Sequence, residues 1–335
     1  MSASREAGLL LKDNSVSLSR GLEYLGRHAT IFMATGFLFG LCLPPLAELI
    51  RPWLTALILL LLIVVLLRIN YAQVITQMQA PGLLLIALVW LLVGSPVLIA
   101  LGLKYIHLSP EIAAALVLWA ASPPLASAPA VALLLGLDGA ATILLTIGAT
   151  IVFPLTLPLV GAYILDLDLG VSPLDLGLRL LIMIAGAMAA AALLSWRIGV
   201  ARLQTHRLRI DGLIVIILFL FGIGVMEGAA DALVESPALA ITLLITVFAA
   251  SAGMVALSTL LFLWTGRRTA GGIGFISGNR NFAITLGASG AWPAEFFLFF
   301  AALQFPIYLL PLLLRVVINI FGKVSQKQAK KSDQN

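Results

Sequence analysis

Between residues 30 and 318 the chain is an almost unbroken succession of apolar runs. Each is close to the ~20 residues that a helix needs to cross a bilayer core about 30 Å thick. They fall at approximately 30–50, 53–68, 82–103, 110–136, 139–163, 177–196, 212–233, 237–263, 269–290 and 294–318. Backbone N–H and C=O groups in hydrocarbon must be satisfied within the chain, which leaves helices as the natural solution for such runs. Composition agrees: 61% of residues are apolar and 10% charged, against roughly 25% charged in a soluble domain. The expected fold is all-α, a polytopic membrane protein with ten transmembrane helices.

The basic residues give this layout a direction. With the N-terminus inside, only Arg51, Lys104, Arg179 and the mid-span Arg280 of the 20 lysines and arginines fall off cytoplasmic stretches. That excess places both termini in the cytoplasm. Ten spans divide into two sets of five, and an odd number forces the second set to enter with opposite orientation. The expected organisation is a cytoplasmic segment at 1–27, a five-helix repeat at 28–163, an inverted repeat at 164–320 and a basic, disordered tail at 321–335. Residues 1–27 hold only the short run Leu9–Leu11, too little for a cleaved signal, and no soluble domain is expected. Short termini fit a bacterial plasma (inner) membrane.

Two runs are interrupted where they should be most apolar. Ser122-Pro123-Pro124-Leu125-Ala126-Ser127 divides the fourth, and Ser277-Gly278-Asn279-Arg280-Asn281 divides the ninth. Proline removes a backbone donor and pushes its predecessor out of helical geometry, which breaks the fourth helix. In the ninth, Gly271, Gly272, Gly274 and Gly278 thin the backbone and Asn279-Arg280-Asn281 interrupts the apolar pattern, so a second discontinuous helix is expected there. Ser127 is the expected N-cap of a second half-helix, with Pro129 in its first turn. The unpaired N–H groups there would suit an anion. A pair of broken spans in corresponding halves is the sequence mark of a secondary transporter's binding site.

Arg280 is the one basic residue deep inside a run. A charge at that depth costs at least ~2.5–3.5 kcal/mol on insertion scales, so it needs a partner. No acid lies at comparable depth, which leaves two readings: the partner is an anionic substrate, or the guanidinium bonds carbonyls freed by the breaks. The first is preferred, since a planar fork suits a carboxylate, sulfonate or phosphate. Asn279, Asn281, Ser127, Ser277 and Gln304 join Arg280 as candidate substrate contacts. Thr142 and Thr146, four apart on one helix face, are candidate ion ligands together with Ser127 and Asn281, although such hydroxyls commonly bond their own backbone.

Other chemistry is poorly supported. A single cysteine, Cys42, and three scattered histidines, His28, His107 and His206, provide no metal cluster. No paired acids or nucleophile–base sets occur at membrane depth, so no enzyme activity and no cofactor beyond sodium is expected. The net charge of +5 lies on membrane-facing loops and indicates no nucleic-acid partner. The expected partners are the lipid bilayer and a small organic anion.

The stretches Ser122-Pro-Pro-Leu-Ala-Ser-Ala-Pro129, Leu135-Gly-Leu-Asp138, Leu145-Thr-Ile-Gly-Ala-Thr150 and Ser277-Gly-Asn-Arg-Asn281, in this order and spacing, resemble the bile acid:sodium symporter superfamily. The resemblance implies a core domain of runs three to five and eight to ten, in which the broken helices cross. Runs one, two, six and seven would form a panel domain. It also implies that Ser127, Thr142, Thr146 and Asn281 stand where that family holds sodium and substrate. Three positions depart from the pattern. Ala128 and Pro129 replace an asparagine, Ile276 replaces a sodium-binding glutamate, and Arg280 replaces a glutamine. Losing a carboxylate and gaining a guanidinium disfavours sodium, and Arg280 becomes a built-in cation in its place. Conventional sodium-coupled symport is the alternative within this architecture, and a non-transporting sensor or scaffold the alternative outside it.

Overall fold

The computed structural model describes residues 20–67, 81–165, 172–288 and 292–332. Its described elements are all helical, and the one β-type contact is an isolated bridge between Pro124 and Arg280. Among the described residues, 7 helices are long and apolar enough to cross a membrane: Pro44–Leu67, Pro81–Leu103, Gly139–Tyr163, Leu174–Ile198, Arg207–Val225, Pro237–Leu261 and Ala294–Val316. The chain is thus a multi-pass membrane protein.

The runs that do not yield one long helix are the first, fourth and ninth. The fourth is two helices, Pro110–Ala121 and Ala128–Leu134, and the ninth is Arg267–Gly278 and Phe282–Gly287. In the first, the helix Ala29–Cys42 stops at Leu43, whose φ of −127° and ψ of 69° are not helical. Pro44 and Pro45 explain this, because they disfavour helix behind them yet fit a first turn. The boundary between runs one and two therefore lies at Leu43, not near residue 51. From Pro44 the chain continues through a single 3₁₀ turn at Arg51–Trp53 into Leu54–Leu67.

A second difference lies at the other end. The last helix, Ala294–Ser332, continues well past the apolar run and through most of the stretch expected to be disordered. Its polar end is rich in lysine, with two glutamines and an alanine, all good helix formers.

By contacts the chain forms two compact units. One comprises Met1–Tyr71 with Arg179–Val234, and the other Ala72–Leu178 with Glu235–Asn335. Neither is a contiguous half of the sequence. Inside the first, Gly36 and Gly40 let Ala29–Cys42 approach Arg207–Val225 closely: a Cβ on Gly36 would stand 2.7 Å from the Phe219 carbonyl oxygen. Arg209 pairs with Glu23 at 3.0 Å, and Arg51 with Glu227. Inside the second, the indole N–H of Trp90 donates to Ser258 Oγ at 2.8 Å, joining Pro81–Leu103 to Pro237–Leu261.

Candidate functional site

The two interrupted runs meet backbone to backbone. After Ala121, Ser122 turns to φ −67°, ψ 152°, and the prolines carry the chain on extended. After Gly278, Asn279 leaves helical geometry at φ −120°, ψ 83°. The extended pieces pair antiparallel about Pro124 and Arg280. The Leu125 N–H donates to the Asn279 carbonyl at 2.9 Å, and the Asn281 N–H to the Pro123 carbonyl at 2.7 Å. Two breaks that would each strand polar backbone in hydrocarbon thus satisfy part of one another's demand.

Three carbonyls remain, each freed by a local irregularity. Ser122 caps the C-terminus of Pro110–Ala121, so no following helical N–H reaches its oxygen. In a continued helix the Ser277 carbonyl would take the Asn281 N–H, which is instead given to Pro123. The third comes from a π-helical turn at Trp90–Gly94, where the Ser95 N–H reaches back to the Trp90 carbonyl. In that register the next donor would serve Leu91, but the next residue is Pro96, which has no N–H.

The Arg280 guanidinium collects all three. Its Nε donates to the Ser277 carbonyl at 2.8 Å. Its Nη1 donates to the Leu91 and Ser122 carbonyls, both at 3.0 Å. Its Nη2 donates to Ser95 Oγ at 2.9 Å. Four of the five guanidinium hydrogens are therefore placed on protein oxygens, and the side chain is 1% exposed. Among the described residues no carboxylate pairs with it. Its charge rests on the C-terminal ends of Pro110–Ala121 and Arg267–Gly278, where helix dipoles are negative. The hydroxyls around it are packed in as well. Ser95 Oγ lies 2.8 Å from the Leu91 carbonyl and 3.1 Å from that of Ala120. Ser122 Oγ lies 2.8 Å from the Leu118 carbonyl and 2.6 Å from Thr285 Oγ1.

Of the two sequence readings of Arg280, the arrangement matches the second: the guanidinium bonds carbonyls released by the breaks. The other predicted residues divide by where they turn. Ser277 Oγ donates to the Ile273 carbonyl at 2.7 Å, and Asn279 Nδ2 to that of Phe275 at 2.8 Å. Thr142 and Thr146 bond their own helix, at 2.9 Å to Gly139 and 2.7 Å to Thr142. Gln304 is buried, with its Nε2 on the Phe300 carbonyl at 3.0 Å. Ser127 is exposed and Asn281 half-buried, and neither side chain makes a capping bond.

The half-helix expected to offer free N–H groups offers few. Ser127 sits at the N-cap of Ala128–Leu134 with helical dihedrals, φ −83° and ψ −18°, which turn its hydroxyl from the capping position. The Ala128 N–H bonds Leu125, those of Ala130 and Val131 bond Ser127, and Pro129 has none.

Three contributors had no role assigned from the sequence. Ser95-Pro96 is a polar residue before a proline inside the third run, a weaker form of the Ser122-Pro123 signal in run four. Thr285 gave none. Asp138 N-caps Gly139–Val160 through the Ala141 N–H at 3.1 Å and accepts Thr269 Oγ1 at 2.8 Å, which ties two helix starts together. Its place directly before a helix-forming run was the available clue.

No protein-family model and no curated protein matches this chain.

Proposed function

We propose that the protein is a secondary transporter that moves a small organic anion across the plasma membrane by alternating access, with Arg280 standing in place of a coupling cation. The observation that carries this reading is the all-oxygen shell of Arg280, built where two broken helices present their C-terminal ends. In transporters made of discontinuous helices, such ends and unwound carbonyls are where coupling ions sit. Here a tethered guanidinium occupies that kind of place. A net positive charge without a carboxylate, held in low dielectric, favours an anionic cargo nearby. Contacts to the cargo are assigned to Ser127 and Asn281, with Arg280 acting on it through its field.

The same proposal includes ten spans arranged as two inverted repeats, both termini cytoplasmic, and a core-plus-panel architecture like that of the bile acid:sodium symporter superfamily. The two compact units support it, since runs one, two and seven fall in one unit, and runs three to five and eight to ten in the other. The sixth run lies mostly with the first unit.

Uptake into proteoliposomes tests the ion assignment. A panel of carboxylates and sulfonates is first screened for thermal stabilisation of the purified protein, and the best binder is radiolabelled. The expected result is equal uptake in sodium and in choline medium. A strict sodium requirement would favour conventional symport, with Thr142 and Thr146 as ligands. Binding without uptake would favour a sensor.

A further inference from the structure

The link between Leu174–Ile198 and Arg207–Val225 carries chemistry that the crossing of the broken helices does not use. Both helices qualify as spans, so the link lies at a membrane boundary. Gly199, at φ 88°, breaks the chain out of the first helix and begins a separate short helix, Val200–Thr205. Leu203 anchors that helix by burial, while Arg197, Arg202 and Arg207 remain exposed at five-residue spacing. Trp196 is 75% exposed, and the Arg197 guanidinium lies 5.5 Å from its ring centroid. Ile198 and Val200 are exposed beside it.

Two features distinguish this patch from basic residues that serve orientation alone. Among the described residues, none of these three arginines pairs with a carboxylate, whereas the neighbouring Arg209 is held by Glu23. The patch is also one-sided: the far end of Arg207–Val225 leads into Glu227, Asp231 and Glu235. Unpaired guanidinium groups beside an exposed interfacial tryptophan and apolar side chains match an amphiphile with a phosphate head and acyl tails.

We propose that this link is a binding site for an anionic phospholipid, with Arg197, Arg202 and Arg207 holding the headgroup and Trp196, Ile198 and Val200 meeting the acyl chains. Each basic residue near an anionic surface contributes roughly fivefold in affinity, so the three together contribute on the order of 100-fold.

The test titrates detergent-purified full-length protein with phosphatidylglycerol, cardiolipin or phosphatidylcholine and reads bound lipid by native mass spectrometry. The expected result is retention of the two anionic lipids, with phosphatidylcholine weaker by about two orders of magnitude. The variant Arg197→Gln/Arg202→Gln/Arg207→Gln should lose that preference. Should this variant misinsert, the single Arg202→Gln exchange should lower anionic-lipid affinity about fivefold, and Arg202→Lys should keep most of it. Equal binding of phosphatidylcholine, or full binding by the glutamine variants, would overturn the proposal. Displacement of the lipid by millimolar inorganic phosphate would overturn it too, because the site would then be one for free anions.

Discussion

Arg280→Met is expected to destabilise the protein by about 3–5 kcal/mol, the usual result of removing one partner from a buried charged network. Removing the charge also removes its desolvation cost, and replacing whole ion pairs by apolar groups is often neutral for that reason. That escape is closed here, because the partners are main-chain carbonyls that no substitution deletes. The Ser122 and Ser277 carbonyls lose their guanidinium donor, while Leu91 keeps the Ser95 hydroxyl. Each orphaned acceptor costs about 1–3 kcal/mol. Arg280→Lys should fall between, since an ammonium keeps the charge but not the fork. In a detergent melt, the methionine variant should unfold on the order of 5–10 °C below the parent. A melting temperature unchanged within error would mean that the guanidinium does not hold the crossing together.

Gly278→Val should be similarly damaging for a different reason. A Cβ at Gly278 would strike the Ser251 carbonyl and stand 2.5 Å from Val255 Cγ2 on the facing helix Pro237–Leu261. Gly274, one turn earlier, presses on Val255 and Thr259 in the same way, so the pair forms a small-residue face for close helix packing. Backbone cannot yield as a side chain can, and overpacking of this kind costs about 1–3 kcal/mol or more. The displaced helix end carries Asn279 and Arg280, so the hydrogen bonds of the guanidinium would be misplaced as well. Gly253→Val is the control: the same change on Pro237–Leu261 meets nothing within 4 Å. The first variant should lose thermal stability and monodispersity and the second should keep both. Equal behaviour would refute the packing account.

These two residues also mark how far the sequence could be read. Pro123-Pro124 and Asn279-Arg280-Asn281 announce the breaks because they contradict an otherwise apolar pattern, and the structure breaks the helices there. The partners of Arg280 carry no such mark. A search for a counter-ion looks for aspartate or glutamate, whereas the charge is met by carbonyls that every residue possesses. Which carbonyls are free depends on where a π turn meets Pro96 and on whether the Asn281 N–H bonds within its own helix or across to Pro123. Those are facts of pairing between segments far apart in sequence. Ser127 shows the same limit at short range. Its residue type and position fit an N-cap, yet its dihedrals turn the hydroxyl away. Pro44-Pro45 was legible in principle, but the apolar residues on both sides hid the helix start inside one run.

The central claim is that a cation must occupy the oxygen shell at the crossing, and that this protein supplies it covalently. Arg280→Ala empties the shell, and a free cation of the same shape should refill it. Melting curves of that variant, recorded with millimolar guanidinium or methylguanidinium against choline at matched ionic strength, test this directly. The account predicts that the guanidinium salts raise the melting temperature of Arg280→Ala and leave the parent protein unchanged, while choline does neither. An alanine variant as stable as the parent, or one that choline restores equally well, would contradict it.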